Sequence, residues 1–242
     1  MSALVGKHYV LPARCVFVFL IVAFLLLPSA FAQDFQNGVD AYHRKDYLAA
    51  FRIWRPLAEG GDARAQHQIG YMLYNGEGVL QDYVEAAQWL HKAADQGVAS
   101  AQTLIGEMYE HGRGMQRNYS EAAKWYGKAA DRDHVHAQSS LGLLHVEGLG
   151  VPKDYSKAIM WFRRSAERGY APAQNNLGFM YATGKGTKID LVLAYVWFTL
   201  AAESGDKGFA QNKAEAASHL TPGQIIEANE LARELRARYQ SK

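Results

Sequence analysis

The feature that most limits what this chain can fold into is an internal period of 36 residues that runs through four consecutive units without a gap. Slid against itself by that step, the chain superimposes Gly70 on Gly106, Gly142 and Gly178, Gly76 on Gly112, Gly148 and Gly184, and Gly78 on Gly114, Gly150 and Gly186. Trp89, Trp125, Trp161 and Trp197 keep the register, as do the Ala-Gln pairs beginning at Ala65, Ala101, Ala137 and Ala173 and the alanines Ala86, Ala122, Ala158 and Ala194. A fixed period of this length means a stack of one small supersecondary unit whose copies cannot hold a core singly.

Within a unit, Ala65, Ile69 and Leu73 have the spacing of an apolar helical stripe and run into Gly76, which can take positive φ. This predicts a first helix, A, of about 13 residues. After the Gly-x-Gly loop, Asp82, Asn118, Asp154 and Asp190 stand where an N-cap is needed, and Glu85 and Glu121 follow the first two as in a capping box. They start a second helix, B, with Ala86, Trp89, Ala93 and Ala94 on one side. Helix B closes near Gly97, Gly169 and Gly205, with Asp133 in the equivalent place of the second unit. Neither helix can bury its apolar side alone, so the expected fold is all-α, a right-handed α-solenoid of stacked helix pairs over units 62–97, 98–133, 134–169 and 170–205.

Both ends read as caps. Gly38, Ala41, Asp46-Tyr47, Ala50, Trp54 and Gly61 repeat the order of landmarks in a degenerate unit over 33–61, shorter by about four residues between its helices. Beyond the last unit, over 206–242, Phe209 to His219 reads as one more helix, and Thr221-Pro222 opens a charged helix running to about Tyr239 that is expected to close the exposed core.

Residues 1–32 differ from the rest. Lys7 and Arg14 precede an apolar run from Cys15 to Leu27, and Pro28-Ser29-Ala30-Phe31-Ala32 offers small residues at the spacing of a cleavage site, the pattern of a secretory signal cut after Ala32. The run is shorter than a membrane-spanning helix requires, so no stable membrane insertion is expected after cleavage. The chain has 26 basic and 24 acidic residues, and losing Lys7 and Arg14 brings the two into balance, which gives no ground for a nucleic-acid or membrane-surface role. Cys15, the single cysteine, lies within the signal, so the mature chain would carry no disulfide.

The recurring Ala-x-Ala-x-x-x-Leu-Gly-x-x-Tyr-x-x-Gly-x-Gly-Val, followed by Asp, Ala, Trp and Ala-Ala, resembles the Sel-1-like repeat, a relative of the tetratricopeptide repeat, over about residues 34–206. Leu73 and His145 depart from it at the tyrosine position and Ser165 at one alanine. The resemblance implies a non-catalytic scaffold or adaptor, periplasmic or secreted, with a protein or peptide partner and a role in envelope signalling, exopolysaccharide regulation or host contact. The alternative is a cell-wall- or glycan-directed enzyme or binding protein. Some cysteine-rich relatives of this repeat are linked to β-lactam binding or hydrolysis, but their units are each tied by a disulfide.

In related helical-repeat folds the A helices line the concave surface. By that analogy the partner-binding residues are His67, Tyr71, Tyr74 and Asn75, with Arg64 beside them, then Thr103, Glu107, Glu110 and His111, then Leu143 and Glu147 with Ser139, and Asn175 and Phe179 with Thr183. These positions vary between units while the packing positions do not. Tyr and Phe on such a surface offer contact area at little entropic cost. The tryptophans, set beside small alanines, are expected in the core instead.

No Gly-x-Ser-x-Gly, His-Glu-x-x-His or phosphate-cradling loop is present, and the Gly-x-Gly pairs join helix to helix, so no catalytic group and no cofactor is expected. His134 and His136 are the nearest approach to a metal pair, but they read as an inter-unit turn. Glu107, Glu110 and Glu147 could face one another as an acid/base set, though a polar helix surface accounts for them equally well.

Overall fold

The computed structural model describes residues 33–240, and the signal-like segment 1–32 lies outside the described residues. Twelve helices and no strand occupy the described residues. They are α1 (33–43), α2 (Tyr47–Glu59), α3 (Ala63–Asn75), α4 (Tyr83–Asp95), α5 (Ala99–His111), α6 (Tyr119–Ala130), α7 (Val135–Glu147), α8 (Tyr155–Ala166), α9 (Ala171–Thr183), α10 (Leu191–Ala202), α11 (Lys207–Ser218) and α12 (Pro222–Gln240). The odd-numbered helices α3 to α9 are the A helices, and each packs on the B helix that follows it and on the B helix before it. The result is an all-α solenoid.

The loop between A and B is fixed by three devices repeated at each step. Helices α3, α5, α7 and α9 end at Gly76, Gly112, Gly148 and Gly184, all in the left-handed conformation with φ between 68° and 75°. The next glycine comes hard against the preceding unit: a Cβ on Gly114 would lie 2.3 Å from the Tyr83 carbonyl oxygen, and one on Gly150 would lie 2.2 Å from the Tyr119 carbonyl carbon. The N-cap carboxylate of Asp82 then accepts from the Val84 and Glu85 amides, as Asn118, Asp154 and Asp190 accept from the amides three residues on.

The capping box is only half formed. The backbone N–H of Asp82 donates not to Glu85 but to the Leu73 carbonyl of helix A, at 2.9 Å, and Asn118, Asp154 and Asp190 donate likewise to Tyr109, His145 and Tyr181. These carbonyls belong to the last turn of helix A, which has no intrahelical partners to offer them, so the bond satisfies two orphan groups at once. Glu85 is released to accept from Trp89 Nε1 at 3.1 Å, and Glu121 to pair with Lys124.

Packing within a unit depends on the helix A glycine and the residue after the tryptophan. A Cβ on Gly70, Gly106, Gly142 or Gly178 would lie 2.6 or 2.7 Å from Leu90, Tyr126, Phe162 or Phe198. Those four plugs are all buried. Trp89, Trp125 and Trp197 are buried as expected of core residues, whereas Trp161 keeps part of its surface exposed.

Successive units are joined by a buried glutamine ladder. The Nε2 groups of Gln66, Gln102, Gln138 and Gln174 donate to the carbonyls of Ala58, Ala94, Ala130 and Ala166, each at 2.9 to 3.1 Å. Each carbonyl lies at the C-terminal end of the preceding B helix and also accepts from the backbone N–H three residues on, at Gly61, Gly97, Asp133 or Gly169, so the side chain is a second donor that ties the next unit to that helix end. Ser165, the departure at an alanine position, donates to the Val135 carbonyl at 2.8 Å and is buried. Asp133 takes φ 63° where other units have glycine.

At the far end, α12 lies against α10. Ala228 and Ala232 are buried there, Tyr195 donates to Asn229, and Tyr239 stacks on Trp197 at 6.3 Å between ring centroids.

Candidate functional site

The outward side of the A helices carries two open rows in the 36-residue register. The first is Tyr71, Glu107, Leu143 and Phe179, each following the buried helix A glycine. Tyr71 is 38% exposed, Leu143 45% and Phe179 43%, in a protein whose other A-helix aromatics and aliphatics are mostly buried. The second row is Asn75, His111, Glu147 and Thr183, all exposed. One helical turn separates the rows, so they lie side by side.

The structure withdraws three of the residues expected on this surface, Tyr74, Asn175 and Ser139. Tyr74 is 7% exposed, and its hydroxyl donates to Glu107 Oε1 of the next unit at 2.7 Å, while Arg113 pairs with the same carboxylate at 3.1 Å and reaches the Tyr74 hydroxyl. Burial, then the bond to Glu107, pushes the phenol up to about 12, so it stays a donor. Asn175 is 7% exposed and accepts from Asn212 of α11 at 2.8 Å. Both sit between helices. Ser139 is buried as well.

Other expected residues are only partly open. Glu107 is held by Tyr74 and Arg113, and Glu110 accepts from the buried Tyr126 hydroxyl of its own unit at 2.7 Å. The two carboxylates therefore face different partners, and burial together with Glu110 drives the Tyr126 phenol far upward. Thr103 Oγ1 donates to the Ala99 carbonyl and lies 2.8 Å from His134 Nδ1. His136 stacks on Tyr170 at 4.4 Å. Burial lowers the His67 imidazole below the usual histidine range, and burial with the nearby His136 and His67 does the same to His134. Arg64 pairs with Asp62 and lies over the Phe35 ring.

Between α7 and α9 the surface opens into an apolar pocket that the sequence did not indicate as such. Leu143 and Phe179 belong to it, joined by Val146, Met180, Asn176 and Thr183, with Phe162 beneath and Lys185 at the edge. Val146 lies one helical turn after Leu143 and Met180 directly follows Phe179, so the available signal was the apolar character of both neighbours. Among the described residues no group of three or more His, Cys, Asp or Glu could hold a metal ion, and no helix is long and apolar enough to cross a membrane.

A continuous stack of helix pairs with repeated glycines, alanines and buried glutamines inside and a changing A-helix surface defines a helical-repeat protein. The family model for the Sel1 repeat matches four times, over residues 63–98, 99–134, 135–170 and 171–206, and the chain belongs to the Sel1-repeat family. Among solved structures, a Sel1 repeat protein from Oxalobacter formigenes is 33% identical, the match covering 83% of this chain and 82% of that one with a TM-score of 0.72. The protective antigen c5321 of uropathogenic Escherichia coli, which has an SLR fold, is 26% identical with a TM-score of 0.56. That match covers 86% of this chain and 54% of c5321, so the present chain spans about half of that protein. A sel1 repeat protein from Klebsiella pneumoniae, 20% identical with 77% of this chain and 93% of that one covered and a TM-score of 0.52, shares the fold. A search among curated proteins returns no match. The Sel1-repeat fold is typical of protein–protein interaction scaffolds.

Proposed function

We propose that the protein is a non-catalytic scaffold, exported to the periplasm or beyond, that binds a segment of a partner protein along the concave surface formed by its A helices. One observation carries this reading. From unit to unit the glycines, alanines and buried glutamines are kept, while the open position after the helix A glycine changes from Tyr71 to Glu107, Leu143 and Phe179. A row needed only for packing has no reason to present two large apolar side chains and an aromatic phenol to water. A row that recognises a partner does. The signal-like pattern of residues 1–32 supports export, and an N-terminus at Gln33 in the mature protein is the expected result of sequencing it.

The binding reading is tested by crosslinking a tagged copy in its native envelope and identifying the captured material by mass spectrometry. Tyr71→Ser and Phe179→Ser should each leave the helical circular dichroism unchanged and abolish capture of one stoichiometric protein, while Lys92→Ser on helix α4 should not. Capture of that protein at wild-type yield by both A-helix variants overturns the assignment, and recovery of glycan fragments without protein favours a wall-directed function instead.

A further inference from the structure

We infer that the pocket between α7 and α9 is the specificity site of this surface, and that it takes a leucine- or phenylalanine-sized side chain flanked by an aspartate or glutamate of the partner. The inference rests on the scaffold reading above and adds the chemistry of the partner to it.

The apolar half of the claim follows from what the pocket is made of. Leu143, Val146, Phe179 and Met180 form its walls around an opening on the A-helix surface. Phe179 is fixed rather than loose, because its ring meets Phe198 edge to face at 5.2 Å. A preorganised apolar recess loses little order when a side chain enters it, so the burial is realised as binding.

The acidic half comes from Lys185, the only ionisable residue among those that line the pocket. It occupies a loop position that recurs as Glu77, Arg113 and Leu149. In the first unit Glu77 accepts from the Tyr42 hydroxyl at 2.5 Å, and in the second Arg113 pairs with Glu107. Leu149 packs against the core of the third unit. Lys185, by contrast, is exposed and has no hydrogen bond or ion pair among the described residues. A position that is used internally in every earlier unit is thus left free where it borders the pocket. An unpaired ammonium beside an apolar recess selects a carboxylate and disfavours a cation.

The two parts contribute unequally. Filling the recess should change affinity by about tenfold or more. An exposed ion pair should change it only a few-fold and act mainly on choice of sequence.

The experiment is a selection from a phage-displayed library of random short peptides on the purified protein, repeated on Phe179→Ser, Lys185→Glu and Tyr71→Ser. Wild-type protein should enrich peptides with Leu, Phe or Met next to Asp or Glu. Phe179→Ser should lower their affinity by about tenfold or more, and Lys185→Glu, a change at an exposed loop position, should turn the flanking preference to Lys and Arg. Enriched peptides without the apolar residue, an acidic preference unchanged in Lys185→Glu, or no enrichment at all overturns the proposal. Peptides that lose binding to Tyr71→Ser but keep it with both pocket variants remove the pocket and leave the scaffold reading standing. Peptides indifferent to all three substitutions remove both.

Discussion

Gln66 shows how much of this fold depends on single polar atoms placed where helices leave gaps. Its Nε2 donates to the Ala58 carbonyl, and its Oε1 accepts from Gln96 at 2.8 Å, in a site only 4% exposed. Gln66→Met keeps the shape and removes both bonds, leaving the Ala58 carbonyl with only its backbone donor at Gly61 and the Gln96 amide short of one acceptor. The expected loss is about 1–3 kcal/mol, read as a lower urea midpoint with unchanged slope. The Ala-Gln pair was plain in the sequence as a landmark, but nothing in the letters said that its amide bonds a carbonyl eight residues back. The misplacement of Tyr74 has a similar origin. Three residues along a helix turn the side chain by about 300°, so Tyr74 stands about 60° from Tyr71 around α3. That is enough to carry it from the open surface into the seam with α5, where Glu107 receives it. Pattern alone assigns both tyrosines to one stripe, and the choice between them is made by the neighbouring helix.

At the level of the element, the helices were legible because glycine, alanine and the N-cap residues recur at positions that local geometry requires. The identity of the plug was not. Tryptophan dominates the repeat by size, yet the residue facing each helix A glycine is the next one, Leu90, Tyr126, Phe162 or Phe198. Their variety hid them from a search for repeated letters, although a core accepts different large side chains opposite a glycine if volume and rotamer suit. Two substitutions separate glycine as a packing device from glycine as a weak helix former. Gly142→Ala would set a Cβ 2.6 Å from the Phe162 ring, and the overpacking should cost about 1–3 kcal/mol, more than the roughly 1 kcal/mol gained from helix propensity. Gly127 lies inside α6 with nothing within 4 Å of its would-be Cβ. Gly127→Ala should therefore stabilise the protein by about 0.5–1 kcal/mol. Thermal melts of the two variants should move in opposite directions; a shared direction would mean that Gly142 on α7 does not meet Phe162 on α8, or that Gly127 on α6 is not open, as described.

Across the whole molecule, units touch mainly their neighbours, so its stability is close to a sum of local terms, and a weakness repeated in several units acts on all of it. The histidines supply such a term. His67 on α3, His91 on α4 and the His134 N-cap of α7 all have their proton affinity lowered in the folded state, each chiefly by burial. For His67, a hydrogen bond with Gln68 works the other way. His91 faces Tyr109 and Trp125, with Asp95 raising and Lys128 lowering its affinity, and His134 faces Thr103, His136 and His67. An unfolded chain takes up these protons near pH 6.5 while the folded one resists, so the unfolded state binds more protons and stability falls as pH drops below that value. Asp62 and Asp133 have lowered affinities too, the arginine partners Arg64, and Arg164 with Arg168, outweighing desolvation. Their contribution is lost only when pH falls through the carboxylate range, near 4 and below, so the two sets separate on the pH axis. The melting temperature should decline between about pH 7 and 5, and His67→Gln with His134→Gln should flatten that decline while leaving the steeper loss below about pH 4 in place. A wild-type curve that is level from neutrality to pH 5 would show that the imidazoles keep their ordinary affinity, and that water reaches this part of the A-helix surface more freely than the packing of His67 and His134 implies.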